Sequence, residues 1–220
     1  MIIWALFDSG NGCYKQVADT MEDIEIYSVG LDVQNKNTHF INLNLASYDY
    51  VSKNNPIYKE LDKLPTPDLI IASPPCESWS VASSMWGGNA CWKQEETKDS
   101  FFKPRVPLSK FTIRDYKDYN KTQFYPERQF IKRINGELCT YNLIEIIKRY
   151  KPKYYIIENP ASSKIWEYIE KILGFEIECE NKTFYNNYDY PIKKPTKFKS
   201  NLDLGLKTEN ITSKAKWHDF

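Results

Sequence analysis

The sequence predicts an α/β fold built on a mostly parallel sheet with an antiparallel late strand. Three observations carry this expectation. Short apolar runs recur along the chain and stop abruptly in Gly, Asp or Pro. Helical-looking connections separate them. Two of the runs end on a reactive side chain beside proline, the one opening at Asp68 on Cys76 and the one opening at Lys153 on Glu158. Strands alternating with helices argue for parallel pairing, and such sheets hold their chemistry just past the carboxyl ends of the strands.

Taken in order, Ile2 to Phe7 reads as the first strand, Ser9-Gly10-Asn11-Gly12 as a glycine turn and Tyr14 to Met21 as a helix. The glycines let backbone approach a ligand closely, although a lone Gly-x-Gly is also a common turn. Ile24 to Leu31 reads as a second strand ending in Asp32, where doubly wound nucleotide-binding folds keep an acid for ribose hydroxyls. Phe40 to Leu45 supplies a third strand, and Tyr58 to Leu64 a short amphipathic connection to the strand opening at Asp68.

That strand runs into Ser73-Pro74-Pro75-Cys76. Both prolines lack a donor and fix φ, so they hold one rigid bend, and Ser78 to Ser83 is placed to open a helix whose dipole would favour the Cys76 thiolate. The bland alternative is a buried, inert cysteine. Residues 84 to 135 break the rhythm with Gly87-Gly88, Pro104, Pro107 and Pro126, and read as one long insertion in a single domain spanning residues 1 to 220. Leu138 to Tyr150 returns as a helix and feeds a strand at Lys153 to Ile157, which runs into Glu158-Asn159-Pro160. Ile165 to Leu173 reads as a helix, Phe175 to Cys179 as a strand, and Thr183 to Tyr185 with Lys197 to Lys199 as late antiparallel strands.

Composition narrows the classes. Five cysteines without paired spacing, and no N-terminal signal pattern, read as reduced thiols of a cytoplasmic protein. Two histidines and no Cys-x-x-Cys argue against a metal site, and no apolar run approaches the roughly 20 residues of a membrane span. The net charge of +1 averages over a partition: residues 103 to 133 carry nine basic and three acidic side chains, interleaved with Phe111, Tyr116, Tyr119, Phe124, Tyr125 and Phe130. That pattern fits phosphate neutralisation with base stacking, and Lys110, Arg114 and Lys117 are its candidate nucleic-acid contacts. The alternative is a solvated charged face.

The glycine turn, Ser73-Pro74-Pro75-Cys76 and Glu158-Asn159-Pro160, in this order, resemble the DNA cytosine-C5 methyltransferases, in particular the small forms of phages and mobile elements. The likeness covers about residues 1 to 205 and implies a Rossmann-like S-adenosylmethionine-dependent methyltransferase fold. It also implies the cofactor S-adenosylmethionine, DNA as partner, and base flipping, because the target carbon lies inside the duplex stack. By the same resemblance, Cys76 matches the nucleophile that attacks cytosine C6, Glu158 the acid that holds the ring at N3 and the exocyclic amine, and Asn159 the residue that orients the loop. Phe7, Asp8, Ser9, Gly10, Gly12, Asp32, Asn44 and Pro74 fall at cofactor-binding positions, and Lys194 and Lys197 join the DNA-binding set. The sequence departs from the family in having Glu77 where Pro-Cys-Gln is usual and Asp8 where a phenylalanine is usual. In place of the arginine-rich catalytic element it has Lys193-Lys194-Pro195-Thr196-Lys197. Little chain follows that element, so the expected protein lacks the large target-recognition domain and relies on the insertion, a separate specificity subunit or a homo-oligomer.

Two other readings compete. Ser73-Pro74-Pro75 also resembles the Ser-Pro-Pro-aromatic motif of exocyclic-amine DNA methyltransferases, but Cys76 offers no ring to stack on a flipped base. The other is a catalytically degenerate methyltransferase fold that binds nucleic acid or a partner. RNA is an alternative substrate to DNA.

Overall fold

In the computed structural model the described residues are 1–8, 12–31, 34, 37–80, 92–94, 111–113 and 126–213, with residues 92–94, 111–113 and 126–130 described by backbone alone. Among them one sheet of seven strands has the order β3-β2-β1-β4-β7-β9-β8. Its strands are β1 (Ile2–Leu6), β2 (Glu25–Gly30), β3 (Phe40–Asn42), β4 (Leu69–Ala72), β7 (Tyr154–Pro160), β8 (Cys179–Phe184) and β9 (Pro195–Ser200). A separate antiparallel pair, β5 (Trp92–Gln94) and β6 (Phe111–Ile113), lies within the long insertion.

β1 pairs in parallel with both β2 and β4, and β4 in parallel with β7. β9 then runs antiparallel to both β7 and β8. The sheet is therefore mostly parallel with one reversed strand next to its edge, as expected. β1 sits between neighbours and carries no polar residue, since a parallel strand is covered on both faces. Its alternation sends Trp4 and Leu6 into the larger core with Leu61, Ile70, Leu143 and Ile157, and Ile3 and Ala5 into a smaller one with Ala18 and Ile26. Helix α1 (Cys13–Ala18) covers the smaller core; α2 (Tyr58–Leu61), α3 (Pro126–Tyr150) and α4 (Ile165–Glu167) contribute to the larger. α4 passes directly into a π-helical turn at Tyr168–Ile172.

Three elements differ from the sequence expectation, and a fourth lies partly outside the described residues. α3 begins at Pro126, not Leu138, so the insertion is helical over its last ten residues. Proline suits a first helical position because the N–H it lacks would have no partner there; the stretch that follows is too polar for apolar periodicity to reveal it. Phe175 to Ile177 packs on the core without joining the sheet; the strand is β8, a run of six mostly polar residues that begins at Cys179 and takes in Thr183 and Phe184 of the expected late antiparallel strand. Polar composition suits β8 because it is an edge strand. Glu158 and Asn159 lie inside β7, paired with Phe198 and Lys197 of β9, instead of following the strand. After Cys76 the described chain makes a single turn, with the Trp79 and Ser80 N–H groups both donating to the Cys76 carbonyl; the expected helix from Ser78 runs beyond the described residues.

Candidate functional site

The strand order reverses at β1, whose neighbours β2 and β4 are reached by crossovers to opposite sides. A crevice opens at the carboxyl ends of strands at such a point. A cavity of about 230 Å³ lies there, lined by Phe7 and Asp8 after β1, Gly30 and Leu31 at the end of β2, and Leu43, Asn44 and Leu45 after β3. Pro75 closes it from the β4 side and Asn135 and Cys139 from α3.

Its floor is built with strain and close approach. Phe7 has φ of 61°, a left-handed conformation that costs a non-glycine residue about 1–3 kcal/mol. Its N–H still donates to the Val29 carbonyl at 2.8 Å, so the bend is anchored. A side chain at Gly30 would bring its Cβ to 3.2 Å from the Asp8 carbonyl, so β2 packs tightly against the turn after β1 and a larger residue there would have to push it aside by a few tenths of an ångström. Asp8 is buried, accepts from Ser28 Oγ at 2.7 Å, and Ser28 Oγ in turn accepts from Asn37 Nδ2 at 2.9 Å. Asn44 accepts the Ala46 N–H at 3.0 Å on its amide oxygen, which leaves that oxygen one further lone pair.

Of the expected cofactor positions, Phe7, Asp8 and Asn44 line this cavity. Gly12 stands at the N-cap of α1 with φ of 57°. Pro75 lines the cavity where Pro74 was expected, while Pro74 is buried beneath the bend. Ser9, Gly10 and Asp32 lie outside the described residues, as do Lys110, Arg114 and Lys117.

Beside the cavity the ends of β4 and β7 are locked together. The register pairs Ala72 with Ile157, and immediately beyond it Asn159 Nδ2 donates to the Pro74 carbonyl at 2.9 Å. The Pro-Pro-Cys bend and the Glu-Asn-Pro strand end are thus one unit, with Cys76 exposed on it. Tyr14 reaches the same place from α1: its hydroxyl is 3.1 Å from Ser73 Oγ. Burial pushes that hydroxyl up to about 12, the Ser73 bond opposes this, and the nearby charges of Cys13, Glu158 and Asp8 add to the rise.

Glu158 is nearly buried, its side chain 12% exposed. Its Oε1 accepts from the Tyr185 hydroxyl at 3.1 Å and lies 3.9 Å from Lys194 Nζ. Lys194 comes from the lysine-rich element expected near the arginine positions of the resembling family. Lys197, paired in register with Asn159, forms an ion pair with Glu180 at 2.9 Å. Glu77, which departs from the usual Gln, is held at 3.2 Å by Lys132 of α3. Sequence reasoning missed Tyr14, Gly30, Pro75 and Tyr185. Gly30, closing a strand, carried a readable signal; Tyr185 carried none, because only the β8–β9 hairpin brings it to Glu158.

Among the described residues no group of His, Cys, Asp and Glu side chains is arranged to hold a metal, and no helix is long and apolar enough to cross a membrane.

No protein-family model matches the chain, and no curated protein matches it. Solved structures do. Dnmt2 methyltransferase of S. pombe superposes with a TM-score of 0.50 at 14% identity, covering 95% of this chain and 51% of that one. A protein described as a DNA modification methyltransferase, encoded within an E. coli prophage, gives 0.49 at 14%, covering 96% and 53%. A DNMT2 variant of Spodoptera frugiperda gives 0.45 at 16%, covering 96% and 54%. The chain spans about half the length of these structures. At such identity the likeness is one of fold: an α/β, Rossmann-like sheet of the S-adenosylmethionine-dependent methyltransferase type, mostly parallel with an antiparallel late strand.

Proposed function

We propose that this chain transfers a methyl group from S-adenosylmethionine to C5 of cytosine in DNA, through a covalent bond to Cys76. The observation that carries the reading is the Asn159–Pro74 hydrogen bond, which ties an exposed thiol and a nearly buried carboxyl to one strand end beside the cavity. A thiol and a carboxyl on joined strand ends suit addition to a pyrimidine ring better than methylation of an exocyclic amine, which is itself the nucleophile and needs none from the protein.

The cavity fits the cofactor in its chemistry. Leu31, Leu43 and Leu45 offer apolar walls to a purine, and Asn44 and Asn135 offer amides to its polar edge. S-adenosylmethionine, when bound, supplies an electrophilic methyl group. The chain's residues do the rest. The Cys76 thiolate forms a bond to cytosine C6, and the electron pair of the C5–C6 double bond moves onto C5, with Glu158 offsetting the charge that develops at N3. After C5 takes the methyl group, loss of the C5 proton to a base restores the double bond and expels the thiolate. Both the ring and the cysteine are regenerated.

The test is transfer of labelled methyl groups to DNA, followed by nucleoside analysis. Wild type should yield 5-methylcytosine, and Cys76→Ser should lose at least a thousandfold in rate while binding S-adenosylmethionine as before, because a hydroxyl is almost un-ionised at neutral pH. DNA carrying 5-fluorocytosine should form a stable adduct with wild type alone. Turnover by Cys76→Ser, or product methylated on the exocyclic amine, refutes the covalent route.

A further inference from the structure

We infer that Tyr185 is a positioning residue that fixes the orientation of the Glu158 carboxyl, gripping one oxygen so that the other is presented outward. The inference rests on the cytosine methyltransferase reading above and adds to it a residue from the β8–β9 hairpin.

The geometry is one-sided. The Tyr185 hydroxyl donates to Oε1 at 3.1 Å, and Lys194 Nζ approaches the same atom at 3.9 Å. Among the described residues nothing donates to Oε2. The terminal torsion of a glutamate is broad and roughly two-fold, so an ungripped carboxyl samples many angles. A donor on one oxygen selects one of them.

The donor is itself held from several sides. The Tyr185 ring meets Tyr190 edge-on, with centroids 5.8 Å apart and planes at 89°. Lys194 Nζ stands 4.6 Å from the centre of the Tyr185 ring, so the cation that approaches the carboxyl also braces the phenol. The Tyr185 N–H donates to the Lys194 carbonyl at 3.2 Å and the Tyr190 N–H to the Tyr185 carbonyl at 3.4 Å. Beneath this, β9 is paired residue by residue with β7 from Ile156 to Pro160, so hairpin and carboxyl share one frame. Burial pushes the pKa of the Tyr185 hydroxyl above its ordinary value, and the charge of Glu158 and the bond to it push it further, against an opposing bond with Thr196. The hydroxyl therefore remains a donor throughout the neutral range.

A tyrosine that merely filled space would be replaced by phenylalanine without consequence. The experiment compares wild type with Tyr185→Phe, which keeps the ring, in two ways. In steady-state methylation of cytosine-containing DNA, kcat should fall about 10- to 100-fold, the range seen when a reacting group is misplaced by about an ångström. KM for S-adenosylmethionine should stay within twofold. Crystal structures of the two proteins should show the Glu158 carboxyl turned from its wild-type orientation in the variant. Wild-type kcat in Tyr185→Phe overturns the inference, as does an unmoved carboxyl, or a loss of kcat matched by loss of cofactor affinity. If wild type itself transfers no methyl group to cytosine, the underlying reading fails, and the carboxyl orientation in the two crystal structures still decides the role of Tyr185.

Discussion

Asn159 is 1% exposed, and its amide N–H donates to the carbonyl of buried Pro74. Proline has already withheld a donor from this bend, so the carbonyl has few ways to find a partner inside the protein. Asn159→Ala should leave that acceptor buried and unsatisfied, destabilising the fold by roughly 1–3 kcal/mol. It should also loosen the link between the Cys76 bend and Glu158, so that methyl transfer falls more than S-adenosylmethionine affinity does. Urea denaturation and initial-rate measurements read the two effects separately. An unchanged denaturation midpoint would mean that the strand ends are held by their register alone.

At the scale of elements, α3 and the turn after Cys76 approach so closely that only glycine fits between them. A Cβ at Gly136 would stand 2.6 Å from Ser78 Oγ and 2.7 Å from Ser78 Cβ. Ser78 cannot swing aside freely, because its hydroxyl donates to the Lys132 carbonyl one turn earlier in the helix. Alanine is worth about 1 kcal/mol over glycine inside a helix, whereas forcing an atom into a packed contact costs about 1–3 kcal/mol. Gly136→Ala should therefore destabilise the protein despite its better helix propensity. Ser78→Gly in the same chain should recover part of the loss, as seen in urea midpoints of both variants. Asn142, fully buried on the same helix, donates to the Leu45 and Ser47 carbonyls at 2.7 and 3.0 Å and accepts from Asn55 at 2.6 Å. α3 thereby also fixes the segment that bears Asn44 and Leu45 of the cavity.

For the whole molecule, stability should be lost more steeply toward alkali than a typical domain shows. Burial pushes the Tyr14 and Tyr168 hydroxyls up to about 12, from 10.0, and the Cys139 thiol up to about 12, from 9.0. Above pH 9 to 10 the unfolded chain releases these protons while the folded chain keeps them. The stabilisation is thus complete below pH 9 and is lost progressively as pH rises toward 12. On the acid side the Tyr150 hydroxyl, and then Arg149, hold the Asp62 carboxyl below its ordinary range. That contribution is present above the ordinary carboxylate range and fades as pH falls through it; it is small, because the pair is exposed. Melting temperatures across the pH range should be level near neutrality and drop sharply above about pH 10, and Tyr168→Phe should soften the drop. A level profile to pH 11 would contradict the burial of these groups. Association with DNA belongs to the same scale, and we propose that the basic segment of the insertion supplies it. Neutralising Lys110, Arg114 and Lys117 together should lower the salt slope of DNA affinity by up to about three while S-adenosylmethionine binding is unchanged. An unaltered slope would move recognition to a partner protein.

The sequence by itself determined the layout: strands of contiguous apolar residues that stop at turn chemistry, a parallel sheet, and reactive side chains at the ends of the strands now named β4 and β7. Those features are local, since strand burial and backbone bends are written in a few adjacent residues. The family resemblance assigns Phe7, Asp8 and Asn44 to one site, and the structure brings them together because the carboxyl ends of parallel strands share an edge. Only the tertiary structure decided which proline faces the cavity, that the β8 strand starts at Cys179, and that α3 reaches back to Pro126. Only it brought Tyr185 and Lys194 onto one oxygen of Glu158. Each of these depends on pairing between segments distant in the chain. Antiparallel register and helix packing are set by side chains meeting across the fold, and no period or motif within a single segment encodes them.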